Sequence, residues 1–170
     1  MIELQDIESA QKRIQGVATR TPLIAFVKAQ SGGHLWLKPE SLQPIGAFKL
    51  RGAYNKIASL SGQEKARGVI AFSSGNHAQG VAYAARVLGI EATIVMPAIA
   101  PQIKKVKTKA LGATIVELEG GSEEDWRLAA EELAQQRGLV MVPPFEDELV
   151  IAGAATVGLE IFEDQPEVDV

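Results

Sequence analysis

The sequence predicts an α/β protein, a parallel sheet covered by helices in three layers. Two observations carry this. From residue 69 onward, short apolar runs alternate with longer stretches of helical periodicity, joined by brief turns. The apolar runs are continuous rather than alternating, as strands buried on both faces are. With 170 residues, 46% of them hydrophobic, the chain is long enough for a sizeable core.

The elements follow in order. Ile7, Ala10, Ile14 and Val17 fall at helical spacing and predict an amphipathic helix over 6–17, broken at Thr21-Pro22. Short strands are expected at Leu23–Ala25 and Leu35–Leu37, with Ser31-Gly32-Gly33 as the turn between them and His34 structural or exposed. Pro44 and Gly46 make a turn, and a helix begins near Lys49 and fades near Leu60. Val69–Phe72 is a strand and Gly75–Leu88 a helix. Ala92–Val95 is a strand, followed by a helix over Pro101–Leu111 with proline in its first turn. Thr114–Leu118 is a strand, and Ser122 with Asp125 opens a helix over Glu123–Arg137. Val140–Val142 is a last short strand before the apolar helix Leu149–Phe162. Pro166–Val170 reads as the opening of a further buried strand, so the chain is expected to be the first half of a longer protein, with exposed apolar surface near Leu149–Phe162.

Composition narrows the function. A net charge of -4 supplies no excess of cations to neutralise phosphates, so nucleic acid is not expected as a partner. No cysteine is present, which excludes disulfides and thiolate chemistry and fits a reducing compartment. Two histidines without cysteine make no convincing zinc site, and no metal is expected. The amino terminus lacks a basic-then-apolar pattern. The uncharged stretch from Gly68 to Ala85 is interrupted by Ser73, Ser74, Asn76, His77 and Gln79, so it is not expected to span a membrane. A cytoplasmic location is the expectation. Lys104, Lys105, Lys107 and Lys109 form a basic patch expected to be a solvated helix face.

Two motifs carry chemistry. Lys49 stands just after a turn, at or near a helix start, with Phe48 beside it. The positive end of the helix dipole and partial burial disfavour its ammonium form, as a Schiff-base lysine requires. Downstream, Ser73-Ser74-Gly75-Asn76-His77 lies where a buried strand hands over to a helix, the place where α/β proteins hold ligands. Gly75 permits close backbone approach, and successive amides there form an anion-binding cup. Two hydroxyls, a carboxamide and an imidazole add polar side chains.

Taken together, Q-P-I-G-A-F-K-L-R-G-A-Y-N and S-S-G-N-H-A-Q-G-V-A resemble the threonine dehydratase and serine racemase branch of the fold-type II pyridoxal-phosphate enzymes. The likeness runs from about Thr21 to the end and includes A-T-I-V-M-P at 92–97 and P-F-E-D-E-L-V-I-A-G at 144–153. Ala47, Pro143 and Gly153-Ala154-Ala155-Thr156 depart from the usual pattern. The resemblance implies pyridoxal 5'-phosphate as cofactor, carried by Lys49, which also shuttles the Cα proton. It implies that Phe48 packs near the cofactor ring and Asn76 bonds the ring hydroxyl. Ser73, Ser74, Gly75, Asn76 and His77 would hold the substrate carboxylate, and in racemizing relatives the residue at Ser74 serves as acid–base on the opposite face. The implied reaction is dehydration of a small hydroxy amino acid, L-threonine or L-serine, to a 2-keto acid and ammonia. The alternatives are an amino-acid racemase or a non-catalytic, truncated binding module. The family's glycine-rich phosphate loop would follow Val170. Residues 1–52 and 147–170 would belong to a large domain and 53–146 to a small one, with a homo-oligomer expected in the full-length form.

Overall fold

The computed structural model describes residues 1–26 and 35–168. Helix α1 (Leu4–Ile14) turns Ala10 and Ile14 inward, and starts and ends a little earlier than periodicity predicts. Strands β1 (Ile24–Phe26) and β2 (Leu35–Leu37) pair antiparallel, with Ile24 opposite Leu37. The turn expected at Ser31-Gly32-Gly33 lies outside the described residues, as does His34. After a 3-10 turn at Glu40–Leu42 comes α2 (Lys49–Ala58). A short helix that periodicity did not reveal, α3 (Gly62–Arg67), is opened by a reciprocal cap between Ser61 and Glu64.

From there the expected alternation holds: β3 (Val69–Phe72), α4 (Asn76–Leu88), β4 (Ala92–Pro97), α5 (Gln102–Ala110), β5 (Thr114–Leu118), α6 (Glu123–Arg137), β6 (Val140–Met141) and α7 (Glu148–Asp164). The four later strands form one parallel sheet in the order β5-β4-β3-β6, with Val69 opposite both Ala92 and Val140. Alternate residues of β3 serve two cores, because successive side chains point to opposite faces. Val69 and Ala71 pack with Ala53, Ile57, Ala78 and Val81 from α2 and α4. Ile70 and Phe72 pack with Trp126, Ala130 and Leu133 from α6. The result is the expected three-layer arrangement, with β3 and β4 buried throughout.

Two close helix crossings fix the frame around the first turn of α2. Where α2 meets α7, a Cβ on Gly52 would stand 2.5 Å from the Val150 carbonyl oxygen, and one on Gly153 would stand 2.6 Å from that of Arg51. No larger residue fits there without moving backbone. Where α2 meets α4, a Cβ on Gly80 would come within 3.1 Å of the Lys49 carbonyl. The apolar helix α7 leaves Ile151 and Phe162 exposed, in line with the expected apolar surface.

Two expectations are corrected. Pro166 and Glu167 form a turn, closed by the Val168 amide donating to the Gln165 carbonyl, rather than the opening of a strand; Asp169 and Val170 lie outside the described residues. Proline cannot donate to a strand ladder, and the turn gives the Val168 amide an acceptor instead. Lys105 is not on a solvated face: it is buried, and its ammonium donates to the Ala98 carbonyl and to Glu117 Oε2, each at 2.6 Å. Its apolar stem is buried while the charged head reaches these acceptors. Among the described residues no helix is long and apolar enough to cross a membrane.

Candidate functional site

Gly46, at a φ of 73°, lets the chain turn after Pro44, so that Phe48 precedes α2 and Lys49 becomes its first residue. Lys49 is half-buried. Burial holds its pKa below the ordinary 10.5, as a nucleophilic amine needs. Its Nζ lies 5.4 Å from the centre of the Phe48 ring and donates to the Pro144 carbonyl at 2.7 Å. Phe48, Phe145, Pro144 and Ile151 line a largely apolar depression of about 200 Å³ beside that amine.

The loop predicted to bind anions connects β3 to α4. Its first residue, Ser73, continues the ladder by donating its amide to the Val95 carbonyl at 3.1 Å, and its Oγ accepts from the Gly75 amide at 3.1 Å. The first amides of α4 have no carbonyl one turn back to bond, so they remain open to an anion. The Lys104 ammonium adds positive charge: it lies 3.8 Å from where a side chain on Gly75 would begin. Ser74 is half-buried and Asn76 exposed at the rim.

His77 departs from expectation. Its imidazole, expected among the polar side chains of the loop, is buried and turned inward, with Nε2 at 2.9 Å from the Val142 carbonyl. A carbonyl only accepts, so Nε2 carries the hydrogen and Nδ1 is a bare acceptor. That Nδ1 is buried and has no hydrogen-bond partner among the described residues. Burial pushes the imidazole pKa down to about 4, the nearby Lys49 charge adding to the fall and the Val142 bond opposing it. The ring is therefore neutral at pH 7. His77 offers a ligand its backbone amide, not its side chain.

The structure thus places Phe48 and Lys49 at one depression, and Ser73 to Asn76 along the loop at the carboxyl end of β3. Sequence reasoning missed the segment that touches both motifs, Val142-Pro143-Pro144. The proline pair was visible, but which side chains its carbonyls receive was not. It also missed Arg51, two positions beyond Lys49. That guanidinium is fully buried, donates to Glu40 Oε2 at 2.8 Å and Oε1 at 2.9 Å, and reaches Thr156 Oγ at 3.1 Å. Burial pushes the Glu40 carboxyl up, but bonds from Arg51, Thr21 and Gln43 outweigh it and hold its pKa below the ordinary value.

A lysine amine held below its ordinary pKa beside an apolar depression has the character of a nucleophile that joins carbonyl compounds as a Schiff base. The sequence pattern of the family described as pyridoxal-phosphate dependent enzyme matches residues 14–170, and the chain belongs to that family. It is 51% identical to the L-threonine ammonia-lyase of Thermotoga maritima, over 100% of this chain and 43% of that protein. Among solved structures it resembles serine racemase from Dictyostelium discoideum, with TM-score 0.92 and 35% identity over 99% of this chain and 55% of that one. It also resembles the processed form of threonine deaminase isoform 2 from Solanum lycopersicum, with TM-score 0.87 and 38% identity over 96% of this chain and 46% of that one. The chain spans about half the length of these relatives.

Proposed function

We propose that this chain is the lysine-bearing part of a pyridoxal-phosphate-dependent ammonia-lyase acting on small hydroxy amino acids, with L-threonine and L-serine as substrates. One observation carries the reading: the Lys49 amine, held below its ordinary pKa by burial, faces an apolar depression lined by Phe48. The residues present fit the aldehyde and ring of the cofactor. Lys49 supplies the amine and Phe48 an apolar flank, and the resemblance assigns the exposed Asn76 carboxamide, at the start of α4, to the ring hydroxyl. When bound, pyridoxal phosphate supplies an aldehyde for the amine and an electron-withdrawing ring that makes the substrate Cα proton acidic.

The chain's own groups do the rest. The amides of Ser74, Asn76 and His77, left open when those of Ser73 and Gly75 bond to Val95 and Ser73, bind and orient the substrate carboxylate, with the Lys104 charge beside them. Lys49 takes the Cα proton, the β-hydroxyl leaves with a proton as water, and addition of water then yields a 2-keto acid and ammonia. In the second reading, racemization, the half-buried Ser74 hydroxyl serves the face opposite Lys49. The likeness to serine racemase at TM-score 0.92 favours keeping it.

The test is to incubate the chain with pyridoxal phosphate, reduce with borohydride and map the adduct by peptide mass. The expected result is selective labelling of Lys49, abolished by unfolding. Next, a chain of the relatives' full length carrying this segment is assayed for keto acid from L-threonine and for D-serine from L-serine. Keto acid supports the lyase, D-serine without keto acid supports the racemase, and no adduct at Lys49 in either chain overturns both.

A further inference from the structure

The segment Val142–Pro144 leaves the end of β6 and receives side chains from two different helices. His77, on α4, donates from Nε2 to the Val142 carbonyl at 2.9 Å. Lys49, on α2, donates to the Pro144 carbonyl at 2.7 Å. Only Pro143 stands between those residues, and Pro143 and Pro144 both have φ confined by their rings. Neither has an amide hydrogen, so neither can be held by donating one. The start of the segment is pinned to the sheet by the Val142 amide, which donates to the Ile70 carbonyl at 2.8 Å. A displacement at Val142 is therefore passed through a stiff pair to Pro144. The imidazole suits the task of a permanent donor: it is buried, neutral, and committed to one tautomer by the carbonyl it faces.

We infer that His77 is a positioning residue for Lys49: its bond to Val142 fixes where the Pro144 carbonyl stands, and hence where the Lys49 amine rests. This rests on the reading of Lys49 as the reactive amine. Without the His77 bond the Pro143–Pro144 step swings out, water reaches the amine, and the burial that activates Lys49 is lost.

The test uses the 170-residue chain and two variants of similar polarity, His77→Gln and His77→Asn. The glutamine amide reaches about as far as Nε2; the asparagine amide is one carbon short. Acetic anhydride labelling at a series of pH values, read by peptide mass mapping, gives the titration midpoint of Lys49, and its plateau separates ionisation from accessibility. Exposed Lys109 serves as the reference. The expected result is a native midpoint below 10.5, the same midpoint in His77→Gln, and a midpoint in His77→Asn raised back toward 10.5, with a matching loss of free amine near neutrality. A depressed midpoint retained in His77→Asn, or lost equally in both variants, overturns the positioning role while leaving the reading of Lys49 intact. A native midpoint already at 10.5 removes the premise as well. Imidazole nitrogen NMR of the native chain tests the bond on which the inference stands even where neither variant folds. The Nε2–H tautomer for His77 supports the inference, and the Nδ1–H tautomer overturns it.

Discussion

Arg51 and Glu160 meet as a two-pronged ion pair inside the protein, with Nη1 at 2.6 Å from Oε1 and Nη2 at 2.9 Å from Oε2. The pair joins α2, just beyond Lys49, to α7, and Lys38 closes on the same carboxylate at 2.7 Å. Burying these charges costs desolvation, which the geometry offsets only while every partner is present. Arg51→Met is expected to destabilise the chain by roughly 3–5 kcal/mol, because Glu40 and Glu160 are left short of cations. Arg51→Lys should rescue little, since an ammonium cannot serve two carboxylates in a planar fork. Urea unfolding measures both; a loss under about 1 kcal/mol for Arg51→Met would count against the network as a structural clamp.

The α2–α7 crossing makes a second, sharper prediction. Gly153→Ala places a methyl 2.6 Å from the Arg51 carbonyl and 2.8 Å from Gly52 Cα, where both neighbours are backbone. The helices must part, at a cost of about 1–3 kcal/mol or more. Gly158, on the same helix, has nothing within 4 Å of its Cβ position. Gly158→Ala should therefore stabilise by up to about 1 kcal/mol through helix propensity alone. Thermal melting of the two variants should move in opposite directions.

These residues also mark how far the sequence could be read. The alternation from β3 to α7 was legible because strand runs and helical periods differ over lengths that exceed a turn. The six-residue α3 is too short to show a period, although Ser61 and Glu64 carry its capping signature. Lys49 and the Ser73–His77 loop were legible from residue type and local punctuation. The inward turn of His77 was not, because its acceptor, Val142, is brought alongside by the parallel pairing of β6 with β3. Arg51 escaped for the same reason: a lone charge reads as solvated until the fold delivers a carboxylate from 109 positions away.

Buried His77 gives stability a defined pH dependence. Its pKa is about 4 in the folded chain against an ordinary 6.5, so between those values the unfolded chain takes up a proton that the folded chain refuses. Stability from this source is complete above about pH 6.5 and falls as pH drops toward 4, by on the order of 3 kcal/mol in all. Glu40, held below its ordinary 4.5, adds a loss only at lower pH. Melting from pH 7 to 4.5 should show the slope in the native chain and a flatter one in His77→Gln. His34 is common to both, so the difference isolates His77.

The lysine-rich face of α5 separates two roles that look alike in sequence. Lys107 and Lys109 are exposed, and replacing either with alanine should change stability by no more than about 0.5 kcal/mol. Lys105 differs because its ammonium satisfies the Ala98 carbonyl just past the end of β4 and pairs with Glu117 on β5. Lys105→Ala leaves that carbonyl without its donor and opens space beneath the stem, so the expected loss is about 1–3 kcal/mol. Glu117→Gln should cost less, since Glu117 is partly exposed and the Ala98 bond survives. Parallel urea titrations of the four variants test the order, and equal effects for Lys105→Ala and Lys107→Ala would return α5 to the solvated face that its composition predicts.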